Sequence, residues 1–296
     1  MPAANPRRGY ILGLSAYIIW GIFPIYFKVL SSVPSIEIIV NRAIWSAVFG
    51  LALLMLVWKH PGWWQELCDH PRRFAILALS GSLIAANWLI YVWAVNNNHM
   101  VEASLGYFIN PLINVMLGMV LLRERLRPLQ WIAVILALIG VGQQVWQVGS
   151  LPWVSLALAF TFGFYGLIRK QAPVAALPGL VVETWILVPL AIGWLLLNPM
   201  AHSAQSEFWT TKEAIWLAAA GPITLVPLVC FNAAARDLPY ATLGFLQYIA
   251  PTLVLTLAVL VYGEHLATST AITFAFIWAG LVIYSVDAWR SLRRRG

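Results

Sequence analysis

YFINPLINVML, residues 107–117, and QYIAPTLVLTL, residues 247–257, each place a proline inside a long apolar run. Aligning Pro111 with Pro251 brings Glu124 into step with Glu264, thirteen residues beyond each proline. Upstream, ASLGYF at 103 meets ATLGFL at 241 with a two-residue slip. Further back, LSAYIIWGIFPIYFK (14–28) meets LALAFTFGFYGLIRK (156–170). That register sets Gly21 on Gly163 and Lys28 on Lys170, and Gly81 falls on Gly221. The second half of the chain repeats the first.

Composition says what medium the repeats occupy. Of 296 residues, 61% are hydrophobic and only 10% charged, and the mean hydropathy is +0.80. A soluble domain carries roughly 25% charged residues. A chain this apolar cannot cover its surface for water, so lipid is the expected solvent. Sixteen tryptophans agree, because Trp favours membrane interfaces. The two cysteines, Cys68 and Cys230, form neither a disulfide framework nor a CxxC pair. The apolar run after the basic N-terminus is longer than a signal-peptide core and lacks a clear cleavage site, so it reads as a retained first helix.

A spanning helix needs about 20 mostly apolar residues. The chain offers ten: 9–30, 36–58, 74–96, 101–122, 128–148, 150–169, 178–197, 213–235, 240–262 and 269–288. With the N-terminus placed inside, the inner segments collect Arg7, Arg8, Lys59, Arg72, Arg73, Arg123, Arg125, Arg127, Arg169, Lys170, Arg236, Arg290 and Arg293 to Arg295. The outer side keeps Lys28 and Lys212. This steep asymmetry fixes the orientation, with both termini cytoplasmic. It also accounts for the net charge of +7 without a nucleic-acid partner. The expected fold is an all-α integral membrane protein, with residues 8–148 as the first five-helix repeat and 149–290 as the second.

Five is odd, so the second repeat must enter the membrane from the opposite side. Inverted-topology repeats are the build of many secondary transporters, in which two halves rock about a central site. The competing reading is that duplication merely built a large membrane protein. Proline inside a spanning helix removes a backbone hydrogen bond, and lipid tolerates this only where neighbours or cavity water satisfy the freed carbonyl. Pro111 and Pro251 are therefore read as kinks beside a cavity, with Pro24, Pro189, Pro222 and Pro227 as further breaks.

Arg42 and Glu183 are the charges within spans. At 1.5 Å per residue they lie about 12 Å apart along a ~30 Å core, which makes them two separate sites. Glu183, in LVVETWIL, has no cation near it in sequence. It suits proton coupling or a substrate ammonium, against a plain structural hydrogen bond. Protons enter as a partner through this residue. Arg42 suits an anionic substrate group, against snorkelling to the outer interface. On the third span Asn87 and Tyr91 share a face, with Trp88 adjacent; the fourth offers Tyr107, Asn110 and Asn114, and the ninth Gln247 and Tyr248. Aromatic walls with few polar handles are how small-molecule pockets are built, though any one Asn equally serves an interhelical hydrogen bond. Trp63, Trp64, Trp209 and Trp289 fall near boundaries as interface anchors. No HExxH, P-loop or channel filter appears, so neither metal, cofactor nor ATP is expected.

At these residues the chain resembles the EamA branch of the drug/metabolite transporter superfamily. The carriers are the two five-helix repeats, Trp20-Gly21, and the Pro-x12-Glu ending. NWLIYVWAVNNNHMVEASLGYFINPLINVMLG, RLRPLQWIAVILA and FAFIWAGL are similar to the RarD subfamily. The resemblance runs from about residue 8 to 290. It implies a Gram-negative inner-membrane transporter of ten helices, with a central cavity lined by both halves. It carries onto Arg42, Asn87, Trp88, Trp93, Asn96, Asn97, His99, Glu102, Ser104, Gly106, Tyr107, Asn110, Pro111 and Glu183. The family handles amino acids, metabolites and drugs, and the expected function is secondary transport of a small metabolite or drug-like solute by alternating access. One departure stands out: the helix-end Gly-Glu survives at Gly263-Glu264, but the first copy has Arg123 for the glycine. If that glycine caps its helix, the first repeat is expected to end differently. The alternative to transport is a membrane scaffold or accessory subunit whose polar groups are structural.

Overall fold

A computed structural model describes residues 5–57, 62–148, 152–263 and 265–293. Lys59, Arg294, Arg295 and the repeat-marking Glu264 lie outside the described residues. The described chain is helical. In order come α1 (Pro6–Gly21), α2 (Phe23–Val29), α3 (Ser35–Val57), the short α4 (Trp63–Cys68), α5 (Pro71–Asn96), α6 (Met100–Leu121) and α7 (Pro128–Val148). The second half holds α8 (Trp153–Gln171), α9 (Ala176–Leu197), α10 (Lys212–Asp237), α11 (Tyr240–Gln247), α12 (Ile249–Thr256), a π-helical turn Leu257–Val261 and α13 (Thr268–Arg293). In hydrocarbon every backbone group must be satisfied within the segment, which leaves helix as the available form. Starts are written locally. Asn5 and Thr211 accept the N–H of Arg8 and Ala214 as N-caps, and prolines occupy the first turns of α1, α2 and α5.

Among the described residues nine spans are long and apolar enough to cross a bilayer, counting α1–α2 and α11–α12 with its π turn as one each. The expected tenth, α8, is 19 residues long but carries Arg169 and Lys170 in its last turn, which lowers its apolarity. The ten-span count therefore holds only approximately by composition.

The packing obeys a two-fold exchange. Exchanging each first-half span for its counterpart maps α1–α2 to α8, α3 to α9, α5 to α10, α6 to α11–α12 and α7 to α13. The pairs α7–α13, α3–α9 and α6–α11 each join a span to its own counterpart. The other large contacts come in exchanged pairs: α1–α10 with α5–α8, α3–α10 with α5–α9, and α6–α8 with α1–α12. Atomic contacts repeat the same way. A Cβ on Gly140 would lie 2.9 Å from the Thr273 carbonyl oxygen, and one on Gly280 3.0 Å from that of Ala133. Likewise Gly21 meets Leu253 and Gly163 meets Ile113, at 2.7 and 2.9 Å from the same hypothetical atom. In each case the two contacts are related by the register read from the sequence. All these extensive contacts run between the halves.

The copies differ where they flank the interior. The first span breaks at Ile22 while its counterpart α8 is continuous, and the ninth breaks at Tyr248 while α6 runs unbroken through Pro111. Pro251 follows its interruption by three residues, so the expected kink is a break there and an uninterrupted helix at Pro111. Arg123 corrects another expectation: it adopts φ +56°, the left-handed conformation that Gly263 adopts at φ +68°. The first repeat turns at this position as a glycine would, with a side chain in the strained region.

Candidate functional site

The ends of the bundle differ in chemistry. At one end Arg8 meets Asp237 at 3.7 Å and Arg127 meets Asp287 at 2.6 Å. There Lys170 donates to the carbonyls of Ala235 (2.6 Å) and Leu238 (2.5 Å). The Glu124 carboxylate accepts the N–H groups of Tyr240 and Ala241 at 2.6 and 2.9 Å, capping α11. At the opposite end Glu37 accepts from His202 and Ser203. His99 there bonds Glu102 at 2.7 Å and stacks on Trp93. The basic connections thus gather at one end.

A cavity of about 540 Å³ occupies the half of the bundle away from that basic end. Small-molecule pockets run to roughly 300–1,000 Å³. Both halves line it, from Phe27 on α2 and Tyr91 on α5 to Val254 on α12 and Thr270 on α13. Its floor lies at Tyr17, Leu228 and Gln247. Toward the basic end the interior is filled. Tyr17 donates to the Leu243 carbonyl at 3.1 Å, Tyr240 to that of Gly163 at 2.6 Å, and Tyr165 and Phe231 stack below.

Arg42, Asn87, Trp88, Tyr91, Tyr107, Asn110 and Gln247 all line this cavity, as does Pro251. The Arg42 guanidinium lies over the Trp88 ring, 4.6 Å from its centroid, and its Nε donates to Thr224 Oγ1 at 2.9 Å. It faces inward rather than snorkelling. Tyr91 and Tyr107 meet edge to face at 6.5 Å, and Tyr107 stays 51% exposed because it borders open space. The Asn87 amide is committed to α8, donating to the Leu158 carbonyl and Thr161 Oγ1 at 2.9 Å each. Asn114 donates to Gln247 Oε1 at 2.7 Å. The buried Asn110 Oδ1 has no hydrogen-bond partner. Both structural and cavity-facing uses of asparagine occur side by side.

Tyr248, Pro111 and Glu183 are not part of the lining. Tyr248 is buried and donates to the Phe108 carbonyl at 3.2 Å, beside the carbonyl of Tyr107 that Pro111 frees. Glu183 sits deeper, toward the basic end, 1% exposed, with Arg169 Nε at 3.3 Å. Ser80 donates to one carboxylate oxygen and Tyr165 reaches the other at 3.4 Å; Asn232 in turn donates to the Tyr165 hydroxyl at 2.8 Å. The fold thus supplies a cation that lies far from Glu183 in sequence: Arg169, which reads from sequence as a helix-end topology charge. Its guanidinium turns inward over Gly179, where any Cβ would collide with it. Thr224 and Ser80 also went unread, since a lone hydroxyl in a spanning helix carries no pattern. Arg42 and Glu183 make no bond to each other and are two sites. Trp64 and Trp289 are more than half exposed, as boundary anchors would be, whereas Trp63 is partly buried and Trp209 donates to the Ser203 carbonyl. Among the described residues no group of His, Cys, Asp and Glu is placed to hold a metal ion.

The EamA-like transporter family matches residues 7–142. An uncharacterised transporter of Pseudomonas aeruginosa PAO1 is 71% identical over 99% of this chain and 98% of its own. Protein RarD of Escherichia coli K12 is 48% identical over 99% of each chain. A protein named chloramphenicol-sensitive protein RarD, also from P. aeruginosa, is 32% identical over 97% of both. A solved structure described only as a crystal structure of protein superposes with a TM-score of 0.71 at 16% identity, covering 96% of this chain and 99% of that one. That likeness concerns the fold alone.

Proposed function

We propose, from the premise that the chain belongs to the RarD subfamily of EamA-like transporters, that it moves a small metabolite or drug-like solute by alternating access. It is a multi-pass membrane transporter of the bacterial inner membrane, and its relatives carry transporter names. The observation that carries the proposal is the one-sided cavity: about 540 Å³ lined by residues of both halves away from the basic end, with packed aromatic side chains toward that end. Two inverted halves, assigned here to 8–148 and 149–290, exchange roles when they rock, which opens one end as the other closes. The basic end is assigned to the cytoplasm because loops rich in Lys and Arg are retained there. The cavity then faces outward in this state.

Glu183 is assigned the coupling role at a distance from the solute. A proton on its carboxylate removes the charge that Arg169 faces, and so loosens the junction of α8 and α9 that helps close the cytoplasmic end. The test begins with a thermal-unfolding screen of purified protein against amino acids, metabolites and amphenicols, since a ligand of the folded state raises the midpoint. Each hit then goes into proteoliposomes with and without a pH gradient. Saturable flux that loses its pH dependence in Glu183→Gln supports the proposal. Unchanged pH dependence removes Glu183 from it. Absence of flux for every hit, with a stable partner retained in mild detergent, replaces it with an accessory-subunit role.

A further inference from the structure

We infer that the solute accepted by this cavity is an amphipathic monoanion: one carboxylate on an apolar or aromatic body. The inference rests on the transport reading only in treating the occupant as cargo. Its basis is a contrast between two arginines on spanning helices, Arg169 buried and Arg42 half-buried. Arg169 faces the carboxylate of Glu183 at 3.3 Å. Arg42 faces none. Among the described residues its hydrogen bond is from Nε to Thr224, and its other close partner is the Trp88 ring.

Leaving a cation inside a membrane protein without a counter-charge is costly, and a cation–π contact offsets only part of it. The terminal nitrogens of Arg42 make no hydrogen bond to a described residue, and Arg42 lines the cavity. With Nε held by Thr224 and Cζ held over Trp88, the free terminal nitrogens of the guanidinium are positioned from two sides. A planar fork of N–H donors matches a carboxylate. Among the described residues no Asp or Glu lines the cavity, and no second Lys or Arg does. An ammonium group would meet like charge and no carboxylate among the described residues; a second negative charge would find no second cation there. The aromatic part of the wall, Trp20, Phe162, Tyr91, Tyr107 and Phe274, suits a ring or hydrocarbon body, beside the uncharged polar groups of Asn87 and Gln247.

One carbon skeleton carries the test. The full chain in detergent, at a pH where the acid is ionised, is titrated calorimetrically with 3-phenylpropanoate, 3-phenylpropanamide, phenylalanine and 3-phenylpropylamine, and separately with chloride and inorganic phosphate. The propanoate is expected to bind roughly tenfold to a hundredfold tighter than the amide, the span of one charge-assisted contact. Phenylalanine and the amine gain nothing over the amide. Arg42→Gln makes acid and amide equal, and Thr224→Val, which keeps the charge but frees the guanidinium, gives an intermediate preference. The inference is overturned if wild-type protein binds the amide as well as the acid, or binds none of the four. Chloride or phosphate competing as well as the propanoate would overturn it too. Arg42-dependent binding of the acid without flux in proteoliposomes would overturn transport and leave the anion site. Saturable flux of a neutral or cationic solute, untouched by Arg42→Gln, would do the reverse.

Discussion

The Glu124 carboxylate accepts the backbone N–H of Tyr240 at 2.6 Å, joining the end of one repeat's α6 to the start of α11 in the other. Its second oxygen takes Ala241 N–H, so one side chain satisfies two of the donors a helix start leaves free. Glu124→Ala removes both, and we expect a loss of about 1–2 kcal/mol, read as a lower unfolding midpoint in detergent. Glu124→Gln keeps one acceptor and loses about half as much.

Reaching that cap bends the chain through Arg123 at φ +56°. A left-handed side-chain-bearing residue costs about 1 kcal/mol or more, which glycine avoids. Arg123→Gly is expected to raise the midpoint slightly. A fall would mean that the arginine side chain makes a contribution larger than the strain.

The Arg169–Glu183 pair sits where neither residue reaches solvent. Removing one member strands the other, so Arg169→Met or Glu183→Leu alone should cost about 3–5 kcal/mol, whereas the double replacement should recover most of it. A double-mutant cycle on unfolding midpoints measures this; additive losses would show the two charges to be independent.

Gly280 and Gly142 make a matched control. A methyl on Gly280 would press on the Ala133 carbonyl at 3.0 Å, while one on Gly142 meets nothing within 4 Å. Gly280→Ala should destabilise by about 1–3 kcal/mol by overpacking; Gly142→Ala should be neutral or slightly stabilising. Equal effects would contradict the close α7–α13 packing.

The sequence made the repeat, the spans and part of the cavity wall readable, because helical spacing fixes which side chains share a face. Asn87, Trp88 and Tyr91 arrive in the cavity for that reason. Tertiary direction was harder to read. Arg169 looked like a loop charge because its position on α8 is terminal; only packing against Gly179 turns it inward. Glu183 consequently lost its assumed isolation. Tyr248 directly follows the lining residue Gln247 yet lies in the break of the ninth span, and its hydroxyl goes to the Phe108 carbonyl rather than the cavity. The break at Ile22 is signalled by Pro24, whose counterpart Gly166 lies in the continuous α8; the break at Tyr248 is not, since Pro251 and its counterpart Pro111 read alike while α6 runs on.

The interlocking of the halves has a consequence for biogenesis. The principal partners of α1, α3, α5 and α7 all lie in the second half. As the chain leaves the ribosome, the first five spans enter the bilayer before any of those partners has been made. Arg42 reaches lipid without Thr224, and Gly140 without Thr273. Maturation must therefore wait for nearly the whole polypeptide, and a prematurely terminated product has no core of its own to preserve it from membrane proteases.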